Sequence, residues 1–170
     1  MYVHIIDTGI RTTHTEFGGR ASIAGDFITP GGTGADCNGH GTHVGGTIGG
    51  ATYGVAKNAT LIAYRALDCS GSGTTSSVIA AVNAVTEDNR RPAVANMSLG
   101  GGVSTTLDSA VQSSIAAGIT YVIAAGNSNA DASGQSPARV PEAITVAASD
   151  QTDTRATFSN WGPEIGRAHV

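Results

Sequence analysis

The chain has 170 residues, enough for one domain with a real core. Charged residues make up 13% of it, about half the usual share, while glycine, with 24 residues, is about twice as common as average. A net charge of −4 without a basic patch argues against a nucleic-acid partner, and no apolar run approaches the ~20 residues of a membrane span.

Tyr2 to Ile6 is short, β-branched and apolar, so it reads as a buried strand. It ends on Asp7-Thr8-Gly9, and a carboxylate at the end of a central strand is where open α/β sheets place ligand chemistry. Residues 11–38 read mostly as loop, with a short strand from Ser22 to Phe27; His14 and Glu16 are expected to be surface or local hydrogen-bonding groups. Asn38 to Gly46 (N-G-H-G-T-H-V-G-G) sets one imidazole, His40, between two glycines at the start of a helix running to Ile48. Glycine on both sides permits close backbone approach and keeps bulk from the ring, which suits a histidine that must meet a substrate. Such a helix is weak by propensity, so something other than helix strength selects its glycines.

Gly54 to Ala56 and Leu61 to Ala66 read as strands, and Thr74 to Asp88 as a helix with Val78, Ala81, Val82 and Val85 on one face. Val94 to Met97 is a strand followed by Ser98-Leu99-Gly100-Gly101-Gly102. Thr105 to Ala117 is a helix with Leu107, Val111 and Ile115 inward and Gly118 ending it. Tyr121 to Ala125 is a strand ending on Gly126-Asn127, and Ile144 to Ala148 is another. Apolar strands alternating with helices predict an α/β fold, a parallel β-sheet flanked by helices. Cys37 and Cys69 sit in polar contexts, D-C-N and D-C-S. They are either bridged, implying an oxidising compartment, or two reduced thiols.

Asp7, Leu99-Gly100 and Asn127 each follow a predicted strand, and His40 opens a helix, so all fall on one sheet edge. A carboxylate, an imidazole, an amide donor and bare backbone are the parts needed for acyl transfer. In this order I-D-T-G, N-G-H-G-T-H-V, N-M-S-L-G-G and A-A-G-N resemble the subtilisin-like serine peptidases. R-T-T-H-T-E-F-G-G-R, Y-G-V-A-K-N and S-P-A-R-V-P-E-A-I-T-V are similar to the proteinase K-like branch. The resemblance spans residues 2 to about 163, read as one partial peptidase domain, 1–163, of subtilisin-like but incomplete fold.

The resemblance implies Asp7 as the triad carboxylate, His40 as the general base and Asn127 as oxyanion donor. It implies that Ser98, Leu99 and Gly100 pair with an extended substrate backbone, and that with Ala124, Ala125 and Gly126 they form the first specificity pocket. Cys37–Cys69 matches a disulfide of bacterial members. Pro141 and Ala143 match positions whose carbonyls bind calcium, so the full-length protein is expected to carry structural calcium and no catalytic cofactor. The family implies a secreted, monomeric endopeptidase acting on extended polypeptides through an Asp-His-Ser acyl-enzyme, with a propeptide chaperone and neither nucleic-acid nor membrane partners.

The family's nucleophile motif, G-T-S-M-A-x-P, has no match here; Ser98 and Ser128 are the best remaining hydroxyls near the site, and their motifs assign them to substrate binding and to a loop. The chain itself is therefore expected to be inactive, a fragment or pseudo-peptidase. Residues 164–170 (E-I-G-R-A-H-V) depart from the family and can be encoded by GAG ATC GGA AGA GCA CAC GTC, which contains the start of a common sequencing adapter. They are expected to be a non-native tail, with Arg167 and His169 outside any functional argument. Two other classes are weighed. I-I-D-T-G suggests an aspartic peptidase but lacks a second copy, and His40 and His43 suggest a metal site but lack the H-E-x-x-H spacing.

Overall fold

A computed structural model describes residues 1–166, so Arg167 and His169 of the expected tail lie outside the described residues. The chain forms two compact units, one from Met1 to Asn96 and one beginning at Met97.

In the first unit β1 (Tyr2–Asp7), β2 (Ala21–Asp26), β3 (Thr60–Arg65) and β4 (Ala93–Met97, running up to the boundary) lie in the order β2-β3-β1-β4. All pairings are parallel; Ile5 lies opposite Ala63 on one side and Asn96 on the other. Helix α1 (His40–Gly49) and helix α2 (Thr75–Glu87) cover this sheet. Side chains alternate along a strand. Val3, Ile5, Leu61 and Ala63 form a core with Ile10 and Phe17, against which Val44 and Ile48 of α1 pack. On the opposite face Tyr64 donates its hydroxyl to Asp88, the residue that ends α2, at 2.6 Å. Helices therefore cover both faces. The α2 stripe expected from its spacing, Val78, Ala81, Val82 and Val85, is buried, and Thr74 caps the helix by accepting from Ser77 N–H.

The second unit holds α3 (Thr105–Ala116), β5 (Thr120–Ala124) and β6 (Ile144–Val146); β5 and β6 pair in parallel. Short 3-10 turns occur at Thr15–Phe17 and Ala132–Gly134. Gly118 ends α3 with φ +93° and donates to Ile115 O at 2.8 Å.

Three sequence expectations are corrected. Gly54 to Ala56 is not a strand, because Val55 N–H and Ala56 N–H bond to Thr47 O and Ile48 O at 3.1 and 2.7 Å. The last carbonyls of α1 lack partners within the helix and take these donors. Strand β6 stops at Val146, because Ala148 N–H is held by the Ser159 hydroxyl at 3.0 Å and Ala148 O by Ala156 N–H at 2.9 Å. In α3 it is Ser114, bonded by the Tyr121 hydroxyl at 2.9 Å, that is fully buried, while Ile115 is partly buried. At the start of the expected tail Ile165 lies beside Thr145 and packs on the Ala125, Ala132 and Ala138 cluster.

Candidate active site

Asp7 is the last residue of β1, and its backbone carbonyl accepts from Ala66 N–H and Leu67 N–H at 2.8 and 3.2 Å. The strand end is thus pinned from β3, and the carboxylate, 0% exposed, is fixed in place. His40 is the first residue of α1. Its Nδ1 lies 2.8 Å from Asp7 Oδ1 and 3.0 Å from Oδ2, while 48% of the side chain remains exposed. A carboxylate can only accept, so Nδ1 carries the proton and donates, and Nε2 is left as the basic nitrogen.

The glycines of α1 explain this approach. Gly41, Gly45 and Gly49 are its buried residues, four apart on one face. A methyl group on Gly41 would sit 2.1 Å from Gly9 O and 3.1 Å from Asp7 Oδ1. One on Gly49 would sit 3.0 Å from Leu61 Cδ2. The helix gives up propensity so that its first turn can lie against the end of β1.

A residue the sequence reading passed over organises this turn. Asp36 accepts from Gly39 N–H at 2.8 Å, Asn38 N–H at 3.0 Å, Thr42 N–H at 2.9 Å and the Thr42 and Thr8 hydroxyls at 2.5 and 2.9 Å. It therefore serves the unpaired donors at the start of α1. Burial pushes its carboxyl up, but these donors outweigh that and hold it below the ordinary value. Thr8 links the two halves of the pair, accepting from Gly41 N–H at 2.9 Å while its own N–H donates to Asp7 Oδ1 at 2.7 Å. An Asp three residues before the Gly39 cap is the sequence signal for this role. Cys37 and Cys69 are disulfide-bonded, and Asn38 donates to Cys69 O at 3.0 Å, tying this loop to the chain after β3. His14 is a local hydrogen-bonding group as expected, accepting from Glu16 N–H, whereas Glu16 accepts from the N–H and hydroxyl of Thr52, 36 residues further on.

The remaining site residues lie in the second unit. Ser98, Leu99 and Gly100 follow β4 without regular structure, the first two partly buried and the third exposed. Gly101 pairs antiparallel with Ser136. Ala124 ends β5, and Ala125 is buried with its N–H on Val146 O at 2.9 Å. Gly126 turns the chain with φ +102°. Asn127 is exposed, and no hydrogen bond engages its amide among the described residues. Thus Asp7 and His40 are joined in one unit, and Leu99, Gly100, Ala124, Ala125, Gly126 and Asn127 lie in the other.

Pro141 is exposed and Ala143 buried, and Glu142 between them is engaged by the Gln112 amide at 3.2 and 3.4 Å. Calcium takes six to eight oxygens, including carboxylates. Among the described residues no group of three or more His, Cys, Asp or Glu could hold a metal. No helix among the described residues is long and apolar enough to cross a membrane.

A buried carboxylate gripping a histidine that opens a glycine-faced helix, on a parallel sheet, defines the class. A model of the subtilase family matches residues 1–170, and the chain belongs to that family of subtilisin-like serine proteases. This removes the aspartic-peptidase reading, which also required an all-β fold. The chain is 60% identical to an extracellular serine proteinase of Thermus sp. (strain Rt41A) over 95% of its length and 40% of the relative's. It is 57% identical to alkaline serine exoprotease A of Vibrio alginolyticus over 94% of its length and 30% of that protein's. Proteinase T of Parengyodontium album is 49% identical over 95% of the chain and 57% of its own length. The crystal structure of a cold-adapted subtilisin-like serine proteinase matches 96% of the chain with TM-score 0.94 and 55% identity. The chain covers 60% of that structure.

Proposed function

We propose that the full-length protein carrying this segment is a secreted serine endopeptidase. In it His40 Nε2 takes the proton of a serine hydroxyl as that oxygen attacks a peptide carbonyl. Asp7 holds the ring in the productive tautomer and balances the imidazolium that forms. Asn127 donates to the carbonyl oxygen as it becomes negative. Ser98 to Gly100 bind the substrate backbone as an added strand, beside a pocket walled by Ala124, Ala125 and Gly126. His40 then returns the proton to the leaving amine, and water releases the acyl group. Secretion rests on the names of the Thermus and Vibrio relatives and on the Cys37–Cys69 bridge.

The observation that carries this reading is the 2.8 Å contact of exposed His40 with buried Asp7. The nucleophile comes from outside residues 1–170, so the 170-residue chain itself gives no acyl-enzyme burst and only trace turnover. The full-length protein should be inactivated stoichiometrically by a serine-directed phosphonylating reagent. Full activity after exposure to that reagent would refute the mechanism, and robust proteolysis by the 170-residue chain would refute its inactivity.

A further inference from the structure

Asn160 has no part in the chemistry above, yet it is 0% exposed and its side chain is fully committed to one loop. Its Nδ2 donates to Ala125 O at 2.8 Å. Its Oδ1 accepts from Ser128 N–H at 2.9 Å and Ala130 N–H at 3.1 Å. Its backbone N–H donates to Gly126 O at 2.9 Å. These contacts bracket Asn127 on both sides while leaving its own amide untouched. Gly126 fits the same picture: a methyl group there would sit 2.6 Å from Asn160 Nδ2 and 2.4 Å from Gln135 Oε1. The bare backbone at 126 lets these two amide side chains reach the loop. Three backbone partners at sequence separations of 30 to 35 residues amount to a splint, with a donor and an acceptor in one rigid plane.

We infer that Asn160 is the positioning residue that sets the oxyanion donor Asn127 and the pocket wall at Ala125 and Gly126. This rests on the peptidase reading proposed above. Donors must point at the oxygen of the transition state, and a displacement of about 1 Å can cost roughly a hundredfold in rate. The choice of Asn has a physical reason. An Asp would keep both acceptor bonds, but it would face Ala125 O with a second oxygen and bring negative charge towards a site that must tolerate an oxyanion.

The test uses the full-length protein, with rates normalised by active-site titration. Asn160→Ala should lower kcat about tenfold or more with KM changed less than about threefold. In an Asn127→Ala background the same substitution should cost less than about twofold, because the residue it positions is already gone. An equal loss in both backgrounds overturns the inference, as does an unchanged kcat. Should Asn160→Ala fail to fold, Asn160→Asp decides the matter through inhibitor binding. A peptide aldehyde, which adds the serine and forms an oxyanion, should bind about tenfold or more weakly, while the matching peptide alcohol should bind as before. Equal weakening of both overturns it. Full activity of the unsubstituted full-length protein after exposure to the phosphonylating reagent would instead refute the peptidase reading itself, so the two failures are told apart.

Discussion

The two units support their candidate residues by opposite means. Around His40 the frame is anionic and cross-linked: Asp7 on the ring, Asp36 beneath the first turn of α1, and the Cys37–Cys69 bridge beside it. Around Asn127 the frame is built of neutral amides: Asn160, bonded to backbone, and Gln135, which donates to the Ser128 hydroxyl. A histidine that must become positive is helped by nearby carboxylates. A loop that must meet a developing negative charge is helped by their absence. Under the proposed mechanism each frame carries the charge that suits the transition state.

The largest effect should follow from neutralising the first frame. In the full-length protein Asp7→Asn should cut kcat about 10⁴-fold, since the amide can leave Nδ1 as an acceptor and fix the wrong tautomer. Titrated steady-state kinetics check this, and a loss below tenfold would mean that Asp7 only holds the fold. Next in size is the crosslink. The bridge spans a sequence separation of 32, so replacing both cysteines by serine should destabilise by up to about 3.7 kcal/mol in the chain-entropy model, read from denaturant midpoints.

The third prediction concerns acid. His4 is fully buried in β1 with Nδ1 3.1 Å from the Tyr64 hydroxyl, and its Nε2 has no hydrogen-bond partner among the described residues. Burial, aided by Arg90 and Arg91 and opposed by Asp88, lowers its pKa from 6.5 to about 4. The unfolded chain therefore binds this proton at a higher pH than the folded one. Stability should fall as pH drops from 6.5 towards 4, by at most about 3 kcal/mol, with no further loss from this group below that window. His4→Phe should flatten this part of a pH–melting curve.

The fourth and smallest effect is at Asp36, whose native pKa lies below its ordinary 3.8. Its stabilisation is present above that ordinary value and lost as pH falls through the lower native one. Asp36→Ala should cost about 2 kcal/mol, as for a strong helix cap, and should remove that most acidic limb.

Much of the fold was legible from residues alone. Near-continuous apolar runs marked all the central strands, and the spacing of Val78, Ala81, Val82 and Val85 marked α2, because burial imposes a local period. The Asp7–His40 pair was legible as well, since one residue ends a strand and the other begins a helix. Gly54 to Ala56 reads as a strand but is not one, because the Val55 and Ala56 N–H groups serve the last carbonyls of α1, and hydrophobicity does not report that. Asp36 left a local mark, a carboxylate three residues before the Gly39 cap, whereas Asn160 left none, for its partners lie 30 to 35 residues away and are brought near only by folding. What the sequence determined, then, was the strand and helix pattern and the reactive side chains, because those depend on neighbours within a few residues. What the tertiary structure decided was how those side chains are held: which helix face is glycine because a strand end lies against it, and which buried polar side chain ties down a loop some thirty residues away.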